Sequence, residues 1–289
     1  MNQVWSGTVA FRGIQPQFDR NTRPCEDPRM IQLIDSHSHL DVVEFDADRE
    51  AVLSRSHAAG VVAQIVPATT AASWPIIRDM CSAAPGLFPA FGLHPTFLHD
   101  HRPEHLRQLR GWLERDTPVA VGECGLDYWV EGLDRDRQRR CFEVQLELAG
   151  DLGRPLIIHA RKAYDDVTAA LRRIGGLRGV VHSFSGSPSQ AEQLWKLGFH
   201  LGIGGPVTYP RANRLRKLVA SMPIEFLLVE TDSPDQPIHG HQGRRNEPAR
   251  LVDVVSEIAR LRGESIASVA ASTTSNACGL FGIDLSTLA

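Results

Sequence analysis

Lysine is scarce in this chain of 289 residues. Of its 31 basic side chains only Lys162, Lys196 and Lys217 are lysines. Chemistry that needs a lysine at a given strand end therefore has few residues to draw on. Cysteine is also sparse. Cys25, Cys81, Cys124, Cys141 and Cys278 are odd in number, scattered, and form no C-x-x-C pair. A disulfide framework is not expected, and a reduced, cytoplasmic protein is. No apolar run is long enough for a membrane span. The N-terminus has no apolar core of a signal peptide. A strong charge of either sign is missing too. The formal net charge is −3, so no general attraction to nucleic acid or anionic lipid follows, although a local basic patch is compatible with it.

What is present suits one large domain. Hydrophobic residues make up 42% of the chain, enough for a sizeable core. Residues 1–31 differ from the rest. Gly7, Gly13, Pro16, Pro24 and Pro28 interrupt any period, and a poorly ordered extension is expected there. Residues 32–289 carry alternating signals. Strand-like runs occur at Leu33-Ile34, Val61 to Val66, Leu87 to Phe91 and Val119 to Val121. Four more occur at Pro155 to Ile158, Gly179 to Val181, Phe199 to Ile203 and Phe226 to Val229. Each is too short for an ordinary helix. Between them lie helical spacings. The clearest spans Asp134 to Leu152, with Phe142, Leu146 and Ala149 on one face and Gly153 as a stop. Another opens at Pro188 and ends at Gly198.

Eight strands alternating with helices fit an α/β protein, either an open doubly wound sheet or a closed (β/α)8 TIM barrel. No G-x-G-x-x-G follows the first strand, which disfavours a dinucleotide fold. The polar residues favour the barrel. His37 and His39 follow the first strand, Glu123 the fourth, His159 the fifth, His182 the sixth and Asp232 the eighth. In a barrel those strand ends share one rim. His37 and His39 are two apart, so in extended chain their side chains leave on one side and can grip one ion. Four imidazoles and two carboxylates suit one or two divalent ions, Zn2+ by preference, with Mg2+, Mn2+ or Ni2+ also compatible. Glu123 is the natural bridge. Asp232 can serve both as ligand and as proton acceptor for a water, which makes Glu123 and Asp232 the catalytic candidates. Taken singly, each of these residues has an ordinary structural explanation. Six at five strand ends is the informative pattern.

The segments carrying these residues resemble the TatD family of metal-dependent hydrolases, in the amidohydrolase-like group. The matching pieces are Ile34 to Asp41, Phe91 to Pro95, Val121 to Tyr128, Pro155 to Arg161, His182 to Gly186, Glu230 to Pro234, Arg245 to Pro248 and Asn276 to Phe281. The resemblance implies a TIM barrel, one or two divalent ions, and phosphodiesterase or deoxyribonuclease activity. It implies His37, His39 and Asp232 around one ion, and His159 and His182 around the second, with Glu123 shared. The expected partner is a phosphate-ester or nucleic-acid substrate, with no membrane and no obligate protein partner. The loop from Asp235 to Gly243 lacks the tryptophan or tyrosine often found in deoxyribonuclease members.

Further candidates surround the rim. His94 ends the third strand and could bind a phosphate oxygen, or it could form a structural turn with Pro95. Arg161 could neutralise a substrate anion, or it could pair with Asp127 or Glu230. Arg244 and Arg245 could form a phosphate patch or a solvated loop. Cys124 faces away from Glu123 and is expected to pack. Two other activities compete with phosphodiester cleavage. One is ester, amide or lactone hydrolysis, including aminoacyl-tRNA deacylation. Relatives acting on amides and lactones often bridge their metals with a carboxylated lysine, and Glu123 stands in that place here. The other is a catalytically silent binding barrel, which an intact ligand set opposes.

Met30 stands immediately before Ile31-Gln32-Leu33-Ile34-Asp35, where chains resembling this family usually begin. A protein starting at Met30 is expected to match the full chain in melting temperature and activity. Clear destabilisation of the shorter protein would show that residues 1–30 are structural.

Overall fold

The computed structural model describes residues 31–288. The expectation about the first thirty residues lies outside that range. Within it, eight strands alternate with helices. The strands are β1 (Leu33–Asp35), β2 (Val61–Pro67), β3 (Leu87–Phe91), β4 (Ala120–Asp127), β5 (Leu156–Arg161), β6 (Gly179–Val181), β7 (Phe199–Ile203) and β8 (Leu227–Val229). The helices between them are α1 (Arg49–Ala58), α2 (Ser73–Ala83), α3 (Pro103–Arg115), α4 (Arg135–Asp151), α5 (Tyr164–Ile174), α6 (Pro188–Lys196) and α7 (Asn213–Ser221). After β8 come α8 (Leu251–Arg262) and α9 (Ile266–Phe281). Neighbouring strands pair in parallel from β1 through to β8, in sequence order. This is a TIM-type (β/α)8 barrel. Among the described residues no helix is long and apolar enough to cross a membrane.

Local signals account for the helix boundaries. Asp134 caps α4 by accepting a hydrogen bond from the Arg137 amide at 3.0 Å. Ser187 and Gln190 form a reciprocal cap on α6, with Pro188 in its first turn. Phe142, Leu146 and Ala149 are all buried, as their spacing on α4 predicts.

The strands bury both faces, so alternation sorts apolar residues into two cores. Ile34, Ala90, Ala120, Ile157, Val180 and Leu228 fill the barrel interior. Their neighbours Leu33, Phe91, Val121, Ile158, Val181 and Leu227 pack outward under the helices. The interior is plugged from below. Ala277, Leu280 and Phe281 of α9 belong to the same cluster. Asn276 fixes that helix, donating to the carbonyls of Ile224 at 2.7 Å and Leu227 at 3.0 Å.

Strands β8 and β1 meet at a seam built largely from loop bonds. The Ser36 amide donates to the Val229 carbonyl, and the Asp232 amide to that of His37. The His39 amide donates to the Ser233 carbonyl, while Ser38 and Ser233 form a parallel bridge. Asp35, fully buried, accepts from the Thr231 amide at 3.0 Å and from its hydroxyl at 2.6 Å. Burial raises the Asp35 carboxyl to about 7 against these donors.

If α9 is the floor of the barrel, Phe281→Ala should open a cavity there. The expected loss is about 3–5 kcal/mol of unfolding free energy, read from urea melts. A loss below about 1 kcal/mol would mean that the helix end is not part of the core.

Candidate metal centre

Strand alternation carries side chains from the apolar interior to the polar rim. His159 lies two after Ile157, and His182 two after Val180. Glu230 and Asp232 continue the parity of Leu228. All four therefore face the barrel axis beyond the apolar plug. Glu123 has the wrong parity relative to Ala120. A register irregularity between Val121 and Cys124 corrects it. Strand β4 is also longer than its apolar run predicts, so Glu123 sits inside the strand rather than after it. His159 likewise lies within β5. Gly125 makes the β4–β5 approach feasible. Its φ is +140°, and a Cβ there would lie 2.0 Å from the His159 carbonyl oxygen.

The Glu123 carboxylate is buried at the centre, and its two oxygens face two sets of donors. On one side, Oε2 lies 3.2 Å from His37 Nε2 and 3.5 Å from His39 Nε2. Those two nitrogens are 3.1 Å apart, and Asp232 Oδ1 lies 3.7 Å from each. On the other side, Oε1 lies 2.8 Å from His182 Nε2, 3.0 Å from His94 Nε2 and 3.2 Å from His159 Nδ1. The two nitrogens of His159 and His182 are 3.2 Å apart. The structure thus brings all six sequence-predicted ligands together and adds His94.

These distances test whether the residues fit a metal. Ligands about 2.1 Å from a tetrahedral ion stand about 3.4 Å from one another. The His37, His39, Glu123 and Asp232 atoms are spaced at that scale. Glu123 Oε1 is buried yet has no well-directed hydrogen bond, despite three imidazole nitrogens around it. Buried ring nitrogens and carboxylate oxygens converging on a common point suit a cation. The donor set fits divalent ions.

The buried groups shift one another in both directions: burial disfavours charge on His159 and His182, yet Asp127 and Glu123 raise the first, and Glu123 and Glu230 the second. Burial alone would raise Glu123, but His94, His182 and His37 around it hold it well below the usual carboxylate range. Burial, reinforced by His182, pushes His37 well below its ordinary value, toward the neutral imidazole that a metal requires. Burial opposes the charge on His39, yet Glu123 and Asp232 outweigh it and raise that ring to about 9. Burial raises Asp232 to about 6, although His182 and His39 pull the other way. The residue sits in the left-handed region at φ +54°, held by its amide on the His37 carbonyl.

Two supporting carboxylates escaped the sequence reading, which placed them only as partners of Arg161. Asp127 Oδ2 accepts from His159 Nε2 at 2.8 Å, leaving Nδ1 to face Glu123. Glu230 Oε1 accepts from the Ser183 amide at 2.5 Å and lies 3.7 Å from His182 Nδ1. Gly202 makes room for Glu230, because a Cβ there would stand 2.1 Å from its Oε2. The signal for Glu230 was its parity with Asp232. That for Asp127 was its place at the end of β4.

Other expectations are corrected. Arg161 is exposed, lies 5.0 Å from the Trp129 ring, and pairs with neither Asp127 nor Glu230. His94 is held inside the cluster, with the Thr96 hydroxyl 2.7 Å from its Nδ1, which leaves no ring nitrogen for a phosphate. Arg245 is committed to both oxygens of Asp48 at 2.7 Å, so it is no phosphate patch. Arg244 remains an exposed loop residue. Cys124 packs as expected, its thiol 3.7 Å from the Ile157 carbonyl.

Above the cluster is a cavity of about 790 Å3, lined by His39, Phe97, Arg161, Ser183, Ser185 and Gln236 among others. The sequence that builds this centre matches known proteins. The family model for TatD related DNase matches residues 34–282.

The chain belongs to the TatD family.

The TatD relative "Uncharacterized metal-dependent hydrolase YjjV" of Escherichia coli K12 is 40% identical over 257 residues, 88% of this chain and 99% of the relative. The "3'-5' ssDNA/RNA exonuclease TatD" of Klebsiella pneumoniae is 32% identical over 266 residues, 88% of this chain and 99% of its own length. The crystal structure of YjjV superposes with a TM-score of 0.85 at 38% identity, covering 88% of this chain and all of that one. A TatD family hydrolase from Entamoeba histolytica shares the fold, with a TM-score of 0.78 at 22% identity over 87% of this chain and 98% of that one. The chain is accordingly a metal-dependent hydrolase of the TatD family.

Asp127 holds the His159 ring with its Nδ1 toward Glu123, so if the cluster binds an ion, weakening that hold should loosen it. Asp127→Asn is expected to lower divalent-metal affinity about 10- to 100-fold, measured by titration calorimetry on chelator-treated protein. Unchanged affinity would remove Asp127 from the centre.

Proposed function

We propose that the chain is a phosphodiesterase acting on nucleic-acid ends or nucleotides, of deoxyribonuclease type. The observation that carries this reading is the Glu123 carboxylate, whose two oxygens face separate donor sets. In this reading His37, His39 and Asp232 hold one divalent ion, His159 and His182 hold the second, and Glu123 is shared. Zn2+ suits the nitrogen-rich set best. Bound ions would acidify a water and polarise a phosphoryl oxygen.

The chain's own residues do the rest. Asp232 takes the proton of the attacking water. It is oriented for this by Gln236, whose amide donates to its Oδ2. The same Gln236 amide reaches the Ser183 hydroxyl at 2.6 Å, which fixes the loop across the cavity. Arg161, on the cavity wall, neutralises the substrate phosphate. His94 braces the bridging carboxylate rather than the substrate. The name of the Klebsiella relative, an exonuclease on single strands, supports the substrate class. Ester, amide or lactone cleavage is the second reading. It is disfavoured by the bridge, which is Glu123. The lysine nearest the rim, Lys162, lies instead over the Trp129 ring at 4.1 Å.

Protein loaded in turn with Zn2+, Mn2+ and Mg2+ is expected to cleave bis-aryl phosphate and single-stranded DNA faster than aryl ester or amide substrates. Glu123→Gln should fold normally and lose about a thousandfold in kcat, since several kcal/mol of charge stabilisation goes with the bridge. Preference for esters would overturn the phosphodiester reading. Near-normal turnover in the folded variant would remove Glu123 from the centre.

A further inference from the structure

The rim does not end at the metal centre. A second cavity of about 750 Å3 adjoins the first, and both are lined by Arg161 and Ser185. Its walls are the residues after β4, the start of α5, and Arg214 of α7. Four cations line it, Arg135, Arg161, Lys162 and Arg214, against two carboxylates, Asp165 and Asp166. Both carboxylates are already engaged. Asp166 accepts from the Tyr128 hydroxyl at 2.6 Å and from Arg139, and Asp165 accepts from Gln190. The four cations make no ion pair among the described residues. They rest on aromatic rings or a carbonyl instead: Arg135 over Tyr128, Arg161 and Lys162 over Trp129, and Arg214 on the Ser185 carbonyl. In a chain of net charge −3 this is a local positive surface.

Trp129 lies in this cleft with half its surface exposed, at 51%. Val130 beside it is exposed too, at 39%, so the apolar surface there is not a lone side chain. Its placement is tied to the metal centre through one side chain. Asp127 Oδ1 accepts from the Trp129 amide at 2.9 Å, while Oδ2 accepts from His159. The backbone that carries the ring is therefore tied to the imidazole beside Glu123. A half-exposed aromatic ring with unpaired cations resting over it carries the two elements that bind single strands: bases stack on aromatic rings, and phosphates draw the cations to themselves.

We propose that this cleft is a subsite for single-stranded nucleic acid, where an unpaired base stacks on Trp129, and Lys162 and Arg214 hold the flanking phosphates, with Arg161 between the subsite and the metal centre. The proposal rests on the phosphodiesterase reading of the adjoining centre and deepens it. A base inside a duplex is stacked on both faces and has none to offer the indole, so the subsite favours unpaired segments over duplex interiors.

The test is equilibrium binding of a fluorescein-labelled phosphorothioate oligothymidylate to the metal-loaded protein, followed by anisotropy. Trp129→Ala should weaken binding about 5- to 100-fold, and Trp129→Phe should keep most of it. Lys162→Ala should flatten the slope of log Kd against log salt by about 0.7, the share of one phosphate contact. Equal binding by wild type and Trp129→Ala would overturn the subsite and leave the phosphodiesterase reading intact. So would displacement of the oligonucleotide by inorganic polyphosphate as readily as by unlabelled oligothymidylate. A wild type that hydrolyses bis-aryl phosphate yet binds no oligonucleotide sinks the subsite alone. A wild type that hydrolyses no phosphodiester sinks the underlying reading as well.

Discussion

A buried carboxylate at the mouth of a barrel must be neutralised, and much of this site follows from that requirement. Glu123 is removed from water and carries its charge between two groups of imidazoles. An isolated buried anion would be expensive, and a paired one is stable only when its lone pairs are met. The histidines meet them in space but not with well-directed hydrogen bonds, which is why a cation suits the centre. Asp127 and Glu230 then stand behind the histidines: Asp127 fixes which nitrogen of His159 turns inward, and Glu230 lies 3.7 Å from the outer nitrogen of His182. The arrangement extends from one charge outward in two layers.

The barrel supplies the convergence. Parallel strands ending on one rim place residues far apart in sequence within a few ångströms. Their alternation also divides the labour along each strand: Ile157 fills the plug and His159 reaches the centre, and Val180 and His182 repeat the pattern. The apolar floor closed by α9 keeps water from below, so the polar cluster opens only toward the cavity above it.

Most of this was legible in the sequence because the strands are short, apolar and followed by ligand-type residues. The eight runs and the α4 face lie where periodicity puts them, and His37, His39, His182 and Asp232 follow their strands, whereas Glu123 and His159 lie within theirs. Other features were not legible, for physical reasons. The extent of β4 depends on its pairing with β5, and the register irregularity that turns Glu123 inward has no signature in hydropathy. Asp127 and Glu230 are ordinary acidic residues until the fold sets them behind an imidazole. His94 misled because a histidine at a strand end can face substrate or a carboxylate, and only the position of Glu123 decides. Arg245 looked free because its partner, Asp48, lies 197 positions away.

The seam between β8 and β1 has a consequence for biosynthesis. His37 and His39 leave the ribosome early, whereas Asp232 and the Thr231 that ties to Asp35 come 196 positions later in the case of that tie. A nascent chain holding the first histidines has neither the last carboxylate nor the bonds that close the ring of strands. Its grip on a metal is that of two imidazoles on a loose tether. The proposed ligand set is complete only once the segment after β8 joins β1, so a nascent chain that ends before Asp232 lacks it.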